Sequence, residues 1–189
     1  MSEEYLGRKF KTVFVDGDVE SEDVGVILDA GVVLNDSGLT PENAGNISVR
    51  TERGMLITVG GKNKGSLTRE DVVEVVSFDG EVAEAVGSSE PSSETPMHWM
   101  IYENHPQYKV LVHVHDQFVL SVAGELDYPV TGEAEYGTPR QASMVTELIG
   151  IKNYVVIRDH GIVCGGSSIG ECLELLFQVH DKAKSLVED

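Results

Sequence analysis

Two periods of hydrophobicity run along this chain, and most stretches follow one or the other. Phe10 to Val15 alternates apolar and polar residues, the spacing of a short strand, and Asp16-Gly17-Asp18 turns it. From Asp23 to Asn35 the period lengthens. Val24, Ile27, Leu28 and Val32 fall on one helical face, with Ser21-Glu22-Asp23 as the cap. Asp36 to Gly45 has loop composition. Asn46–Arg50 and Met55–Val59 read as a hairpin around Glu52-Arg53-Gly54. The glycine-rich loop Gly60–Gly65, a helical turn at Thr68–Asp71 and a strand at Val72–Val76 follow, and Asp79-Gly80 turns the next hairpin. Helices are predicted from Pro91 to Glu103, Asp116 to Ala123, Thr138 to Ile149, and from Ser168 onward. Val110–His115 and Val155–Ile157 read as strands. Strands and helices mix without strict alternation. That predicts an α/β fold in one domain spanning residues 1–189, with a mixed sheet covered by helices.

Composition narrows the classes. The 189 residues suffice for one sizeable core, and 41% hydrophobic against 24% charged excludes global disorder. A net charge of −18 argues against nucleic acid and anionic membranes as partners. There is no long apolar run, and Met1–Lys9 lacks an apolar signal core, so a soluble cytoplasmic protein with no membrane partner is expected. Cys164 and Cys172 have neither metal nor redox spacing and read as semi-buried thiols in a reducing compartment.

Candidate chemistry centres on His113-Val114-His115. Residues i and i+2 of a strand project to one face, so the two imidazoles either grip one metal ion or stack on the wet face of a sheet. His160 follows an apolar strand at a glycine and completes a three-histidine set. Glu94, placed in the first turn of a helix behind Ser92 and Ser93, is a fourth ligand or a base. The two serines either cap that helix or hold an anion at its N-terminus. Gly60 and Gly61, with Lys62 and Lys64, form either an anion cradle or a solvated turn, and Asn46 is within reach of the same anion. His98, one turn after Glu94 on the same face, either borders the site or serves a structural role; His105 reads as a helix-end residue and His180 as exposed.

Several segments, in this order, resemble the class II aldolase/adducin family. They are Gly45-Asn-Ile-Ser48, Ile57-Thr-Val-Gly-Gly61 with Leu67-Thr-Arg-Glu-Asp71, Pro91-Ser-Ser-Glu-Thr-Pro-Met-His98, His113-Val-His115, and His160-Gly161 after a strand. The resemblance implies a three-layer α/β/α fold with a largely antiparallel central sheet, assembled into homotetramers with active sites at subunit interfaces. It implies one Zn2+ per subunit, or another divalent metal, on His113, His115 and His160, with Glu94 as catalytic acid/base and resting ligand. Asn46, Gly60, Gly61, Lys62, Ser92 and Ser93 would surround the phosphate of a phosphorylated sugar. The expected reaction is aldol cleavage of a ketose phosphate to dihydroxyacetone phosphate and an aldehyde, as in fuculose-phosphate aldolases. Alternatives are a methylthioribulose-1-phosphate dehydratase, a pentulose-5-phosphate 4-epimerase, and a non-catalytic adducin-like module. The sequence departs from the family pattern at Gly60, where the aldolases carry a serine. It departs again at Glu133, which falls near the position of a tyrosine that aldolases supply from a neighbouring subunit. Tyr136, three residues on, is the other candidate for the general acid.

Overall fold

The computed structural model describes residues 8–188. Eight strands form one sheet: β1 (Lys11–Phe14), β2 (Asn46–Arg50), β3 (Met55–Thr58), β4 (Val72–Phe78), β5 (Val82–Val86), β6 (Val110–Val114), β7 (Tyr154–Ile157) and β8 (Gly161–Gly166). Their spatial order is β1-β5-β4-β3-β2-β6-β8-β7. Only the β1–β5 pair is parallel; the other pairs are antiparallel. Five helices cover the sheet: α1 (Asp23–Asp36), α2 (Thr95–Asn104), α3 (Gln117–Ser121), α4 (Pro139–Ile149) and α5 (Ile169–Glu188).

Alternation along the strands builds two cores. Ile47, Val49, Val110, Val112 and Val114 face α1, α3 and α5, where they meet Ile27, Leu34, Val119 and Leu176. Ile57, Val73, Leu111 and Val163 face the other way, against Met97 and Ile101 of α2 and Val145 and Ile149 of α4. The result is the three-layer α/β/α sandwich with a largely antiparallel sheet that the family resemblance implies. The same alternation puts Asn46 and Ser48 of β2, and His113 of β6, on the α2 side. The register pairs Asn46 with His113 directly.

The sequence reading needs several corrections. β8 is a full strand, buried throughout, where no strand was predicted. Its three glycines and its burial on both faces erase the alternation, and it pairs with β6 on one side and β7 on the other. Side chains at Gly165 and Gly166 would meet the Tyr108 ring at 3.0 Å and Cys172 Sγ at 2.8 Å, so neighbours fill the space a Cβ would take. Helix α2 starts at Thr95, which leaves Glu94 at the capping position rather than inside the first turn. Cys164 and Cys172 are fully buried rather than semi-buried. His180 is half-buried, and its Nδ1 pairs with Asp116 Oδ2 at 2.7 Å. At the start of α1, Ser21 Oγ accepts from the Asp23 amide, while the capping position itself is Glu22. Residues 1–7 of the Met1–Lys9 segment lie outside the described residues.

Candidate metal centre and anion site

Three elements converge at one end of the sheet. His113 and His115 leave the end of β6. His160 comes from the turn between β7 and β8, where Asp159 takes a left-handed φ of 58°. That conformation suits Asp or Asn, and the Asp159 side chain is exposed, so the position serves the backbone and not the histidine. Gly161 lets the turn close: a Cβ there would lie 2.5 Å from Val114 O and 2.7 Å from His113 Cε1. Nε2 of His113 lies 3.0 Å from Nε2 of His115, and the ring of His160 stacks on that of His113 with centroids 5.0 Å apart. Ligand nitrogens of all three lie within 4.8 Å of one another.

Glu94 faces this cluster. Its Oε2 is 3.1 Å from His113 Nε2 and accepts from Asn46 Nδ2 at 2.6 Å; its Oε1 is 3.2 Å from His160 Nε2. Burial works to raise the Glu94 pKa, but His113 and His160 outweigh it and hold the carboxyl far below the usual carboxylate range. Burial, with His115 and His160 close by, keeps His113 neutral against the pull of Glu94. Nδ1 of His113 lies 2.9 Å from Ile162 O, and a carbonyl only accepts, so Nδ1 carries the proton. The Nε2 lone pair then points at the cluster. A neutral imidazole fixed by a carbonyl on its outer nitrogen, two more imidazoles and one carboxylate are the donor set of a divalent transition metal, so the residues fit the implied zinc.

The match to known families is made with this geometry in view. Residues 26–187 match the model described as Class II Aldolase and Adducin N-terminal domain. The chain belongs to that family. Among its relatives are a methylthioribulose-1-phosphate dehydratase of Yersinia enterocolitica, 28% identical over 84% of this chain and 91% of the relative, and a 5-deoxy-D-ribulose 1-phosphate aldolase of Bacillus thuringiensis, 28% identical over 84% of each. An L-fuculose phosphate aldolase of Haemophilus influenzae is 27% identical over 81% of this chain and 76% of its own length. The crystal structure of L-fuculose-1-phosphate aldolase from Thermus thermophilus superposes with a TM-score of 0.77 at 24% identity, covering 87% of this chain and 92% of that one. A sugar-phosphate aldolase from Thermotoga maritima gives 0.78 at 21%, covering 88% and 94%. These two structures bear out the fold.

In this class II aldolase-family chain the remaining predicted site residues fall into two groups. Asn46, Ser92, Ser93 and Tyr136 stand around Glu94 and His160. Ser92 Oγ accepts from the Glu94 amide, Ser93 Oγ is 2.5 Å from Tyr136 Oη, and the Tyr136 ring lies 4.8 Å from that of His160. Gly60 packs beside Ser92, with its Cβ position 3.9 Å from Ser92 Cα, and Gly61 takes a φ of 71°. The structure does not bring Lys62 or Glu133 into the cluster. Lys62 Nζ is 3.1 Å from Asp71, and Glu133 is exposed. Lys64 is the buried cation of the loop, 1% exposed, donating to the carbonyls of Asn43 and Lys62; burial pushes its pKa down to about 8 against the pull of Glu94. Two contributors carry no periodicity or motif that marks them: the Ile162 carbonyl, on the strand the glycines conceal, and Arg8, whose guanidinium lies 3.7 Å from the Cβ position of Gly60. Two buried polar atoms among the described residues lack a partner next to the site, Asn46 Oδ1 and His98 Nε2.

Proposed function

We propose that this chain is a divalent-metal-dependent lyase that cleaves a ketose 1-phosphate to dihydroxyacetone phosphate and an aldehyde. The observation that carries this reading is the buried Glu94 carboxyl group, set between His113 and His160 at 3.1 and 3.2 Å. Zinc bound by His113, His115 and His160 would supply Lewis acidity, stabilising negative charge that develops on the substrate oxygens. Every other task falls to the chain's own groups. Glu94 takes the proton from the substrate and returns it, and Asn46 Nδ2 orients the carboxylate for that transfer. Ser92, Ser93 and the amides before the ten-residue helix α2 bind the phosphate, with Gly60 and Gly61 letting backbone approach it. Tyr136, whose hydroxyl meets Ser93 and whose ring rests on His160, is the better placed general acid; Glu133, exposed, is the poorer one.

A second reading keeps the site and changes the bond broken. The likeness to the Yersinia dehydratase, over 91% of that relative's length, favours loss of water from a ketose 1-phosphate. The presence of three converging histidines and Glu94 together argues against an adducin-like module without catalysis. We also propose a cytoplasmic homotetramer. In support, no described helix is long and apolar enough to cross a membrane, and α1 leaves Val26, Val32 and Val33 exposed. The test is zinc-loaded protein incubated separately with L-fuculose 1-phosphate, 5-deoxy-D-ribulose 1-phosphate and methylthioribulose 1-phosphate. Release of dihydroxyacetone phosphate supports the aldolase, and a dehydrated ketone the second reading. No turnover of any of the three overturns both.

A further inference from the structure

Arg8 lies before β1, yet its side chain reaches the predicted anion loops and is only 14% exposed. Its Nε donates to Pro91 O at 3.0 Å, the carbonyl that immediately precedes Ser92-Ser93-Glu94. Its Nη1 pairs with Glu90, and its guanidinium lies over the Phe10 ring, 5.7 Å from the centroid. These contacts fix the plane of the group. Nη2 is left without a hydrogen-bond partner among the described residues, and it is the atom nearest the missing side chain of Gly60, with Ser92 Cα alongside. A guanidinium held at one edge by a carbonyl and stacked on a ring, with a donor nitrogen beside Gly60 and near Ser92, is suited to a tetrahedral oxyanion. Its one carboxylate partner, Glu90, has a side chain 55% exposed, and such surface pairs contribute little and yield readily to a dianion.

We propose that Arg8 is a binding residue of this site, a clamp that closes over Gly60 and Ser92 and holds the phosphate of the sugar-phosphate substrate. The proposal rests on the reading that the substrate is phosphorylated. It assigns to the segment before β1 a positive charge that the loop itself does not provide, since Lys62 is committed to Asp71 and Lys64 is buried.

Two measurements test it. The first uses metal-free protein and inorganic phosphate. Phosphate raises the Tm of the wild type and of R8K, and the shift is largely lost in R8Q. The second uses zinc-loaded protein and whichever ketose 1-phosphate the wild type turns over. R8Q raises KM by about tenfold or more, the size expected for a lost charge-assisted hydrogen bond, and leaves kcat within about twofold. The double variant R8Q/G60S recovers part of the KM, because a serine fits at Gly60 without a close contact and offers a hydroxyl to the same space. A phosphate-induced Tm shift of equal size in wild type and R8Q overturns the clamp and leaves the phosphorylated-substrate reading standing. No shift in wild type, with no turnover of any ketose phosphate, overturns both. An R8Q variant that loses kcat and Tm at unchanged KM makes Arg8 structural and also overturns the proposal.

Discussion

At the residue scale the proposed chemistry rests on the Glu94 carboxyl group, held between Asn46, His113 and His160. Glu94→Gln keeps nearly the same shape and leaves His113, His115 and His160 in place. Metal content is therefore expected to stay near wild type while turnover falls about 10²- to 10⁴-fold, the range for loss of a positioned proton-transfer group. His113→Ala is expected to lose both, because it removes a ligand and opens the carboxylate's pocket. Elemental analysis beside turnover separates the two cases, and near-normal turnover in Glu94→Gln would remove the base assigned here.

His98 makes a different prediction. Burial, against the pull of Glu94, holds its pKa down at about 4. Its folded pKa is thus below the value of about 6.5 in the unfolded chain, which takes up the proton first as pH falls. The neutral imidazole leaves stability undiminished above about pH 6.5, and stability declines between about pH 6.5 and 4 by up to about 3 kcal/mol. His98→Asn is expected to flatten that part of the curve in urea titrations of metal-free protein. An equally steep decline in the variant would remove His98 as its source.

The pairing of His113 with His115 was legible in the sequence because a strand has a period of two and the two residues differ by two. The direction of each ring was not, since the Ile162 carbonyl that turns the His113 lone pair inward belongs to another strand. Lys62 and Lys64 also look alike in sequence. Only packing shows that one is paired at the surface and the other buried between two loops.

At the element scale, the bounds of α1, α4, β1 and β6 were foreseen within a residue or two, while α2 starts at Thr95, four residues after the expected Pro91. β8 was not foreseen. A pattern of Gly-Ile-Val-Cys-Gly-Gly gives no alternation to read, because both of its faces are covered and its glycines mark contacts with Tyr108 and Cys172 and not turns. Gly161, its first residue, shows how tightly this element is fitted to the site. A methyl there would meet Val114 O at 2.5 Å, His113 Cε1 at 2.7 Å and His115 Cδ2 at 3.0 Å. Backbone on one side and the rings of two candidate ligands on the other leave nothing that shifts cheaply. Gly161→Ala is expected to weaken metal binding about 10- to 100-fold, as disturbed supports of ligating histidines do. Competition with a chromogenic chelator measures this, and unchanged affinity would mean that β8 moves aside.

At the scale of the whole molecule, the sheet order brings the end of β6, with His113 and His115, beside the β7–β8 turn that carries His160, although the two segments are far apart in sequence. β6 lies between β2 and β8, near the middle of the long antiparallel run, while β1 and β5 lie at the far edge. A metal held by His113, His115 and His160 would therefore act as a staple between segments joined only by a long connection, the arrangement in which closing a loop restricts the unfolded chain most. Its influence should be local in the folded state and global in the unfolding equilibrium. Chelation is expected to speed amide hydrogen exchange around His113–His115 and His160–Ile162 first, with the slow amides of β2 and β6 following only through complete opening, and β1–β5 amides unmoved. The mixed chain order that made the topology hard to read from sequence thus has a dynamic meaning: the proposed metal centre ties together strand ends that the chain itself connects only at a distance.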